Sequence, residues 1–154
     1  MTRPSVPQGG IIAAGEGNRL RADGFRVSKP MVQVGGRPLI DHAIDRFRSV
    51  GIRRLTVAIN EASDDCRQWL KGHAGDFDLD MIVRSTPSSY ATFRLVADKL
   101  VDAPAVITTV DTIMPVAQFE TFVASASRFP DDAVVLGVTG HVDDENPLWV
   151  TLDT

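Results

Sequence analysis

The chain has 154 residues, of which 44% are hydrophobic and 23% charged, and its formal net charge at pH 7 is −4. This length and composition predict a globular protein with its own buried core, and no apolar run is long enough to span a membrane. Because the net charge is negative, a broad nucleic-acid-binding surface is not expected.

The whole chain, residues 1–154, is predicted to form a single domain. Residues 1–8 contain two prolines and no periodicity, and we interpret them as a flexible lead-in. They do not have the pattern of a cleavable leader, so a cytoplasmic location is expected. A single cysteine, Cys66, excludes an internal disulfide and a metal site built from cysteines.

The first predicted strand, residues 10–14, ends in a loop with the sequence Gly-Glu-Gly-Asn-Arg at positions 15–19. Two glycines allow positive φ angles and let backbone N–H groups approach a ligand closely. Arg19 and, ten residues later, Lys29 add two separated cations, and the combination predicts a phosphate site. No lysine follows either glycine as in a Walker loop, and no third glycine completes a dinucleotide fingerprint.

Helices and strands alternate along the rest of the chain. Residues 38–50 have a proline in the first turn, apolar residues at helical spacing and Gly51 just beyond, which predicts a helix. Further helices are predicted from Ser63 to Gly72, from Ser88 or Ser89 to Leu100, and over 116–129. Further strands are predicted over 55–59, 81–83, 105–110, 134–138 and 149–152. This alternation predicts a mostly parallel sheet covered on both faces, with ligands at the carboxyl ends of its strands.

Asp111 follows the apolar strand at 105–110, so its carboxylate is expected at that edge of the sheet. Mg²⁺ prefers a few rigid carboxylate oxygens together with phosphate and water, which makes Asp111 a candidate metal ligand. The alternative is that Asp111 caps the turn through Thr112 and Ile113. The three histidines lack the spacing of a catalytic triad or a zinc site.

The main basic cluster consists of four arginines on the predicted helix at 38–50 and just after it. We interpret them as a solvated helix face and turn rather than as a polyanion-binding patch. These residues are Arg46, Arg48, Arg53 and Arg54.

Three blocks in the first forty residues resemble the nucleotidyltransferase family that includes sugar-1-phosphate nucleotidylyltransferases and molybdenum-cofactor guanylyltransferases. In that family the first strand ends in Ala-x-Gly-x-Gly-x-Arg, a Lys-Pro pair follows, and Gly-x-Pro-Leu/Met-Ile opens the next helix. Here residues 13–19 read Ala-Ala-Gly-Glu-Gly-Asn-Arg, residues 29–30 Lys-Pro, and residues 36–40 Gly-Arg-Pro-Leu-Ile. The resemblance implies a Rossmann-like three-layer α/β/α sandwich of the nucleotide-diphospho-sugar transferase type. Since it covers the nucleotide-binding half, the resemblance leaves two alternatives, a chain truncated at its C-terminus relative to that family and a minimal nucleotide-binding domain.

The reaction implied by the resemblance is the Mg²⁺-dependent transfer of a nucleoside monophosphate from an NTP to a sugar 1-phosphate or related phosphate acceptor, releasing pyrophosphate. Arg19 is then expected to bind the β- and γ-phosphates, Lys29 the α-phosphate and the acceptor phosphate, and Asp111 the metal. The implied nucleotide-binding residues are Ala13, Ala14, Gly15, Glu16, Gly17, Asn18, Arg19, Ser88 and Ser89.

Residues 85–92 correspond to the loop that reads the nucleobase in that family, which commonly has a glycine where this chain has Ser89. The base therefore stays open, and the alternative for Ser88 and Ser89 is a plain helix cap. The ten-residue step from Arg19 to Lys29 favours the sugar-1-phosphate branch. A molybdenum-cofactor guanylyltransferase-like enzyme and a catalytically incomplete nucleotide or sugar-nucleotide binding domain remain alternatives. No nucleic-acid or membrane partner is expected, and the sequence is compatible with a homo-oligomer.

Overall fold

A computed structural model describes residues 7–140 and residue 151, with the side chain of Arg19 excepted. Its strands are β1 (Gln8–Ala13), β2 (Gln33–Val34), β3 (Arg37–Pro38), β4 (Arg54–Ile59), β5 (Asp78–Val83) and β6 (Ala105–Thr109). Its helices are α1 (Asn18–Ala22), α2 (Leu39–Ser49), α3 (Asp64–His73), α4 (Ser89–Ala97) and α5 (Val116–Ala126), and a 3-10 turn spans Lys29–Met31. Among these described residues, no helix is both long and apolar enough to cross a bilayer.

The main sheet has four parallel strands in the order β5-β4-β1-β6. The central strand β1 pairs with β4 on one side and β6 on the other, so the loop that follows it leaves from the middle of the carboxyl edge. A separate two-stranded ribbon joins β2 to β3 through Gly35 and Gly36, whose φ angles are +59° and +78°. Two consecutive positive φ angles are what a tight two-residue hairpin requires.

Helices cover the main sheet on both faces. Successive residues of a strand point to opposite faces, so Gly9 and Gly10 of β1 face different helices. A Cβ built on Gly9 would lie 2.7 Å from the Phe47 ring of α2, and one on Gly10 would lie 2.4 Å from Val96 of α4. On the α2 face, the Phe47 ring meets Phe119 of α5 edge-on, with 5.6 Å between centroids. These contacts confirm the predicted α/β fold with a parallel sheet between helical layers.

The predicted elements recur with shifted ends, and two expectations are corrected. Gln8 was assigned to a lead-in, but it is the first residue of β1, is 1% exposed, and its side chain donates to the carbonyl of Leu100. Residues 134–138 were predicted as a strand, yet they form none. Their nearly continuous apolar run needs a neighbouring backbone to pair with, and in residues 7–140 the outer edge of β6 pairs with no strand, so Val134 stays 86% exposed. The strand predicted over 149–152 lies outside the described residues except for Thr151, which is not in a strand.

The interpretation of the arginine cluster as solvated is wrong for Arg46. This side chain is 1% exposed, because α5 packs beside α2 and places the Phe119 ring 5.9 Å from the guanidinium. Burial lowers the pKa of Arg46. Of the other three arginines, Arg48 and Arg54 form ion pairs at the surface, and Arg54 bonds to Asp102. Arg53 is exposed.

Candidate functional site

The glycine loop begins where β1 ends, with Ala13 and Ala14 buried beneath it. The carbonyl of Ala14 accepts a hydrogen bond of 3.2 Å from the side chain of Asn60, a residue that follows β4 and is itself buried. Asn60 also accepts from the N–H of Ala62, so its amide links the ends of two neighbouring strands. The base of the loop is therefore fixed from the adjacent strand.

Gly17 is the glycine of this loop that needs its conformational freedom. Its φ is +64°, and a Cβ at this position would lie 3.3 Å from the Cβ of Lys29. Gly15 has no left-handed φ, and it is open to the cleft, with nothing within 4 Å of a Cβ built on it. The loop thus packs directly against the segment that contains Lys29.

The next loop residues lead into α1. The side chain of Asn18 donates to Glu16 at 2.7 Å, which places one carboxylate at the rim of the cleft. Arg19 is the second residue of α1, and its side chain lies outside what the structure describes.

Lys29 and Asp111 meet across the cleft, with 2.5 Å between Nζ and Oδ2. Lys29 opens the 3-10 turn and is followed by the buried Pro30, whereas Asp111 comes just after β6. The preceding residue, Val110, is buried and bonds to the carbonyl of Ile12, which extends the parallel ladder and fixes the backbone at Asp111. The side chain of Asp111 thus bonds to Lys29 across the cleft, a contact that the alternative of a local turn cap does not include.

Electrostatics keeps the Asp111 carboxylate ionised. Partial burial favours its neutral form, but the hydrogen bond and the positive charge of Lys29 outweigh burial and hold the pKa of Asp111 below its usual value. Since the side chain remains 46% exposed, the carboxylate is accessible from the cleft.

The opposite rim is formed by the start of α4. Ser88 is the N-cap of this helix, and its hydroxyl accepts the N–H of Ala91 at 3.1 Å. The hydroxyl of Thr92 donates to the carbonyl of Ser88, and the hydroxyls of Thr86 and Thr92 lie 2.6 Å apart. Ser88 therefore does act as a cap, while Ser89 is the first helical residue and lines the cleft.

These segments enclose a cleft of about 730 Å³, within the range of small-molecule sites. Its walls include Gly15, Glu16, Gly17, Asn18, Lys29, Thr86, Ser88, Ser89, Thr92 and Asp111. The predicted residues Ala13 and Ala14 lie below this surface rather than on it. The structure thus gathers the glycine loop, Lys29, the two serines and Asp111 around one space.

The role of Asn60 in bracing this cleft was not found from the sequence, whereas Thr92 belongs to the predicted 85–92 segment. The Asn60 amide donates to Ala14, a residue 46 positions away in the chain, and no local motif marks that contact. The available signal for Asn60 was a polar residue directly after a buried strand.

A metal ion at this site would have the Asp111 carboxylate among its ligands. Within residues 7–140, no three His, Cys, Asp or Glu side chains cluster as a metal site. An ionised, accessible aspartate nevertheless fits Mg²⁺, which often takes one or two carboxylates and completes its shell with phosphate and water.

Comparisons with known proteins agree with this fold. The family model described as the MobA-like NTP transferase domain matches residues 9–150. The bifunctional protein GlmU of Kineococcus radiotolerans is 40% identical over 77 residues, which are 49% of this chain and 14% of GlmU. A probable mannose-1-phosphate guanylyltransferase of Oryza sativa is 31% identical over 99 residues, 60% of this chain and 26% of that protein.

Among solved structures, the inositol-1-phosphate CTP transferase of T. maritima superposes with a TM-score of 0.61 at 18% identity. The match covers 82% of this chain and 50% of that one, and at this identity it supports the fold alone. The chain thus spans about half of this solved structure, and a smaller share of the curated relatives it matches.

Proposed function

The chain belongs to the family of MobA-like NTP transferase domains, and on this premise we propose that it transfers a nucleoside monophosphate from an NTP to a sugar 1-phosphate or related phosphate acceptor. The observation that carries the proposal is the cleft in which the glycine loop, Lys29 and Asp111 face one another. A glycine loop that lines the cleft, one lysine ammonium and one ionised carboxylate suit a triphosphate and its counter-ion.

In the proposed reaction an oxygen of the acceptor phosphate attacks the α-phosphorus of the NTP. A new P–O bond forms, the bond from the α-phosphorus to the bridging oxygen breaks, and pyrophosphate leaves with the electron pair. Such a transfer needs in-line positioning and charge neutralisation rather than a protein nucleophile. When bound, Mg²⁺ would neutralise phosphate charge next to Asp111.

We assign the α-phosphate and the acceptor phosphate to Lys29, and the β- and γ-phosphates to Arg19. Lys29 is paired with Asp111 in the structure, so its ammonium exchanges this carboxylate for phosphate in the proposed complex. We assign the nucleobase to the rim formed by residues 86–89 and 92, which leaves the choice of base open.

A sugar 1-phosphate or similar acceptor is supported by the relatives. One of them is named as a probable guanylyltransferase of mannose 1-phosphate, which is a phosphorylated sugar. We therefore favour this acceptor class over a molybdenum cofactor.

A nucleotide-binding domain without efficient turnover is the second candidate. It is favoured by the small number of acidic side chains at the cleft, Glu16 and Asp111, because the described residues offer no group of three metal-binding side chains. This candidate binds nucleotide in the same place and differs only in the absence of transfer.

Pyrophosphate release separates the two candidates. The assay combines each of the four common NTPs with Mg²⁺ and a panel of sugar 1-phosphates, and a parallel melting curve reports nucleotide binding. We expect release for at least one pair, with an equal amount of sugar nucleotide formed. A nucleotide that raises the melting temperature without turnover supports the binding domain, and neither effect would contradict both candidates.

A further inference from the structure

The segment that contains Lys29 is held by an aspartate from another helix. Residues 21–27 are all exposed, so the chain reaches Lys29 from a solvated stretch. At Ser28 the backbone becomes partly buried, and its N–H donates to Oδ2 of Asp65 at 2.8 Å. Asp65 lies 37 residues further along the chain, in the first turn of α3. Its second oxygen, Oδ1, accepts the N–H of Cys66 at 2.8 Å, so the carboxylate joins Ser28 to the start of α3.

The hydrogen bond between Ser28 and Asp65 also fixes the turn that contains Lys29. The carbonyl of Ser28 accepts the N–H of Met31 at 2.8 Å and so closes the 3-10 turn that Lys29 opens. On the far side of this turn, the carbonyl of Val32 accepts the N–H of Leu39 at the start of α2. The turn is therefore anchored to α3 at one end and to α2 at the other, with Lys29 between the anchors.

We propose that Asp65 is a positioning residue of the transfer site, which fixes Ser28 and thereby directs the Lys29 ammonium toward Asp111. The inference rests on the proposed function in so far as Lys29 is assigned to the phosphates. Asp65 itself bonds to backbone N–H groups and does not line the cleft, so it acts through Lys29 rather than on the substrate.

The Asp65 carboxylate is ionised when it accepts these hydrogen bonds. Burial opposes its ionisation, but the hydrogen bonds from Ser28 and Cys66 outweigh burial and keep the pKa of Asp65 below its usual value. Its neighbour Asp64 belongs to the same helical turn and is exposed, and within residues 7–140 its side chain forms no hydrogen bond or ion pair. Asp64 is therefore a matched control for loss of an acidic residue at the start of α3.

The test measures the reactivity of Lys29 in the ligand-free protein, independently of turnover. The chain has three lysines, Lys29, Lys71 and Lys99, so mass spectrometry after brief acetylation gives the Lys29 rate with two internal references. An amine held against a carboxylate is shielded from the reagent, and an amine released from that contact is more accessible to it. We expect Asp65→Ala to raise the Lys29 rate relative to Lys71 by about threefold, the size typical of an exposed ion pair. Asp64→Ala is expected to leave the ratio unchanged.

Two further variants keep the test decisive if Asp65→Ala folds poorly. Asp65→Asn retains an oxygen that can accept from Ser28, so its ratio should return close to that of the unaltered protein. Ser28→Pro removes the N–H donor while Asp65 remains, and the Ser28 φ of −64° already matches proline. We expect Ser28→Pro to raise the Lys29 ratio as Asp65→Ala does. Ratios equal to that of Asp64→Ala in both Asp65→Ala and Ser28→Pro would overturn the proposal.

Kinetics then connects this position to the reaction. If the chain catalyses transfer, Asp65→Ala should lower kcat by roughly tenfold while KM for the NTP changes less than about twofold, because misplacing a catalytic cation acts mainly on the transition state. A purely structural loss would instead lower the melting temperature and leave kcat per folded molecule unchanged, which contradicts positioning. Absence of transfer in the unaltered protein would refute the proposed enzyme but not the acetylation result.

Discussion

The ion pair between Lys29 and Asp111 places charge in the cleft and contributes little to the stability of the fold. Their side chains are 31% and 46% exposed, and ion pairs at this exposure contribute at most about 1 kcal/mol to folding. The pair is nevertheless the point where one cation and one anion face the same cleft. Either side chain can exchange its partner for a ligand of opposite charge, and the loss of the ion pair changes the free energy of unfolding only slightly.

Replacing Asp111 with asparagine tests its role as metal ligand. We expect the free energy of unfolding to change by less than about 1 kcal/mol, and the Mg²⁺-dependent gain in NTP affinity to fall at least tenfold, because an amide oxygen carries no charge for the metal. Since the folded-state pKa of Asp111 is lowered, the gain in the unaltered protein should persist at neutral pH. It should disappear only on acidification below about pH 4, the ordinary aspartate range.

Calorimetric titration with and without Mg²⁺ measures both affinities. Asp23→Asn, in the exposed stretch after α1, is the control for loss of a surface charge. Magnesium dependence that survives in Asp111→Asn would remove the metal assignment.

At this scale the sequence predicted the residues that carry their own chemical signal. Gly17, Lys29 and Asp111 were identified because their types and order fit a phosphate site, and the structure brings them to one cleft. Asp65 was not identified as part of the site, because its partner is a backbone N–H 37 residues away. Arg46 was assigned to the surface because its burial depends on α5, which no local pattern of α2 reveals.

At the scale of elements, β1 can lie between two helices because it contains adjacent glycines. Gly9 receives the Phe47 ring of α2, and Gly10 receives Val96 and Leu100 from the α4 side. The alternation of faces along a strand makes each glycine a close-packing point for a different layer. Since α4 begins at the cleft with Ser88 and Ser89, the packing at Gly10 also sets the position of that rim.

A methyl group at Gly10 is therefore expected to be costly. Gly10→Ala should lower the free energy of unfolding by about 1–3 kcal/mol, because its Cβ would lie 2.4 Å from the Val96 side chain. Gly72→Ala is the matched control: Gly72 lies in α3 with nothing within 4 Å of the added Cβ, so the change should stabilise by up to about 1 kcal/mol. Denaturant unfolding of both variants measures the difference. A neutral Gly10→Ala would show that α4 does not pack closely on β1.

Element types were more predictable than element ends. α2 was recognised because its proline, apolar spacing and terminal glycine all agree, and Gly51 indeed has a φ of +81° just beyond it. The helix expected to reach residue 129 ends at Ala126, and residues 134–138 form no strand although they are a nearly continuous apolar run. Strand formation depends on a partner, which periodicity within one segment does not report.

At the scale of the whole molecule, the order β5-β4-β1-β6 explains why the site lies where it does. Placing β1 between β4 and β6 brings the glycine loop, Asn60 and Asp111 to one edge, since each follows one of these neighbouring strands. The alternation of elements predicted a parallel sheet, but the strand order and register arise from pairing between distant segments. From the alternation, the glycine loop and Asp111 were both expected at the carboxyl edge of the sheet, and no strand order was predicted.

Amide hydrogen exchange, with and without an NTP and Mg²⁺, tests the central claim most directly, because it locates the bound nucleotide whether or not transfer occurs. Backbone N–H groups that bind phosphate or lie under a bound base exchange more slowly. The account predicts slower exchange over residues 15–18 and 86–92, with no change over the exposed residues 134–138. Nucleotide binding that is detected by calorimetry but protects only residues 134–138, or no residue of the cleft, would contradict it.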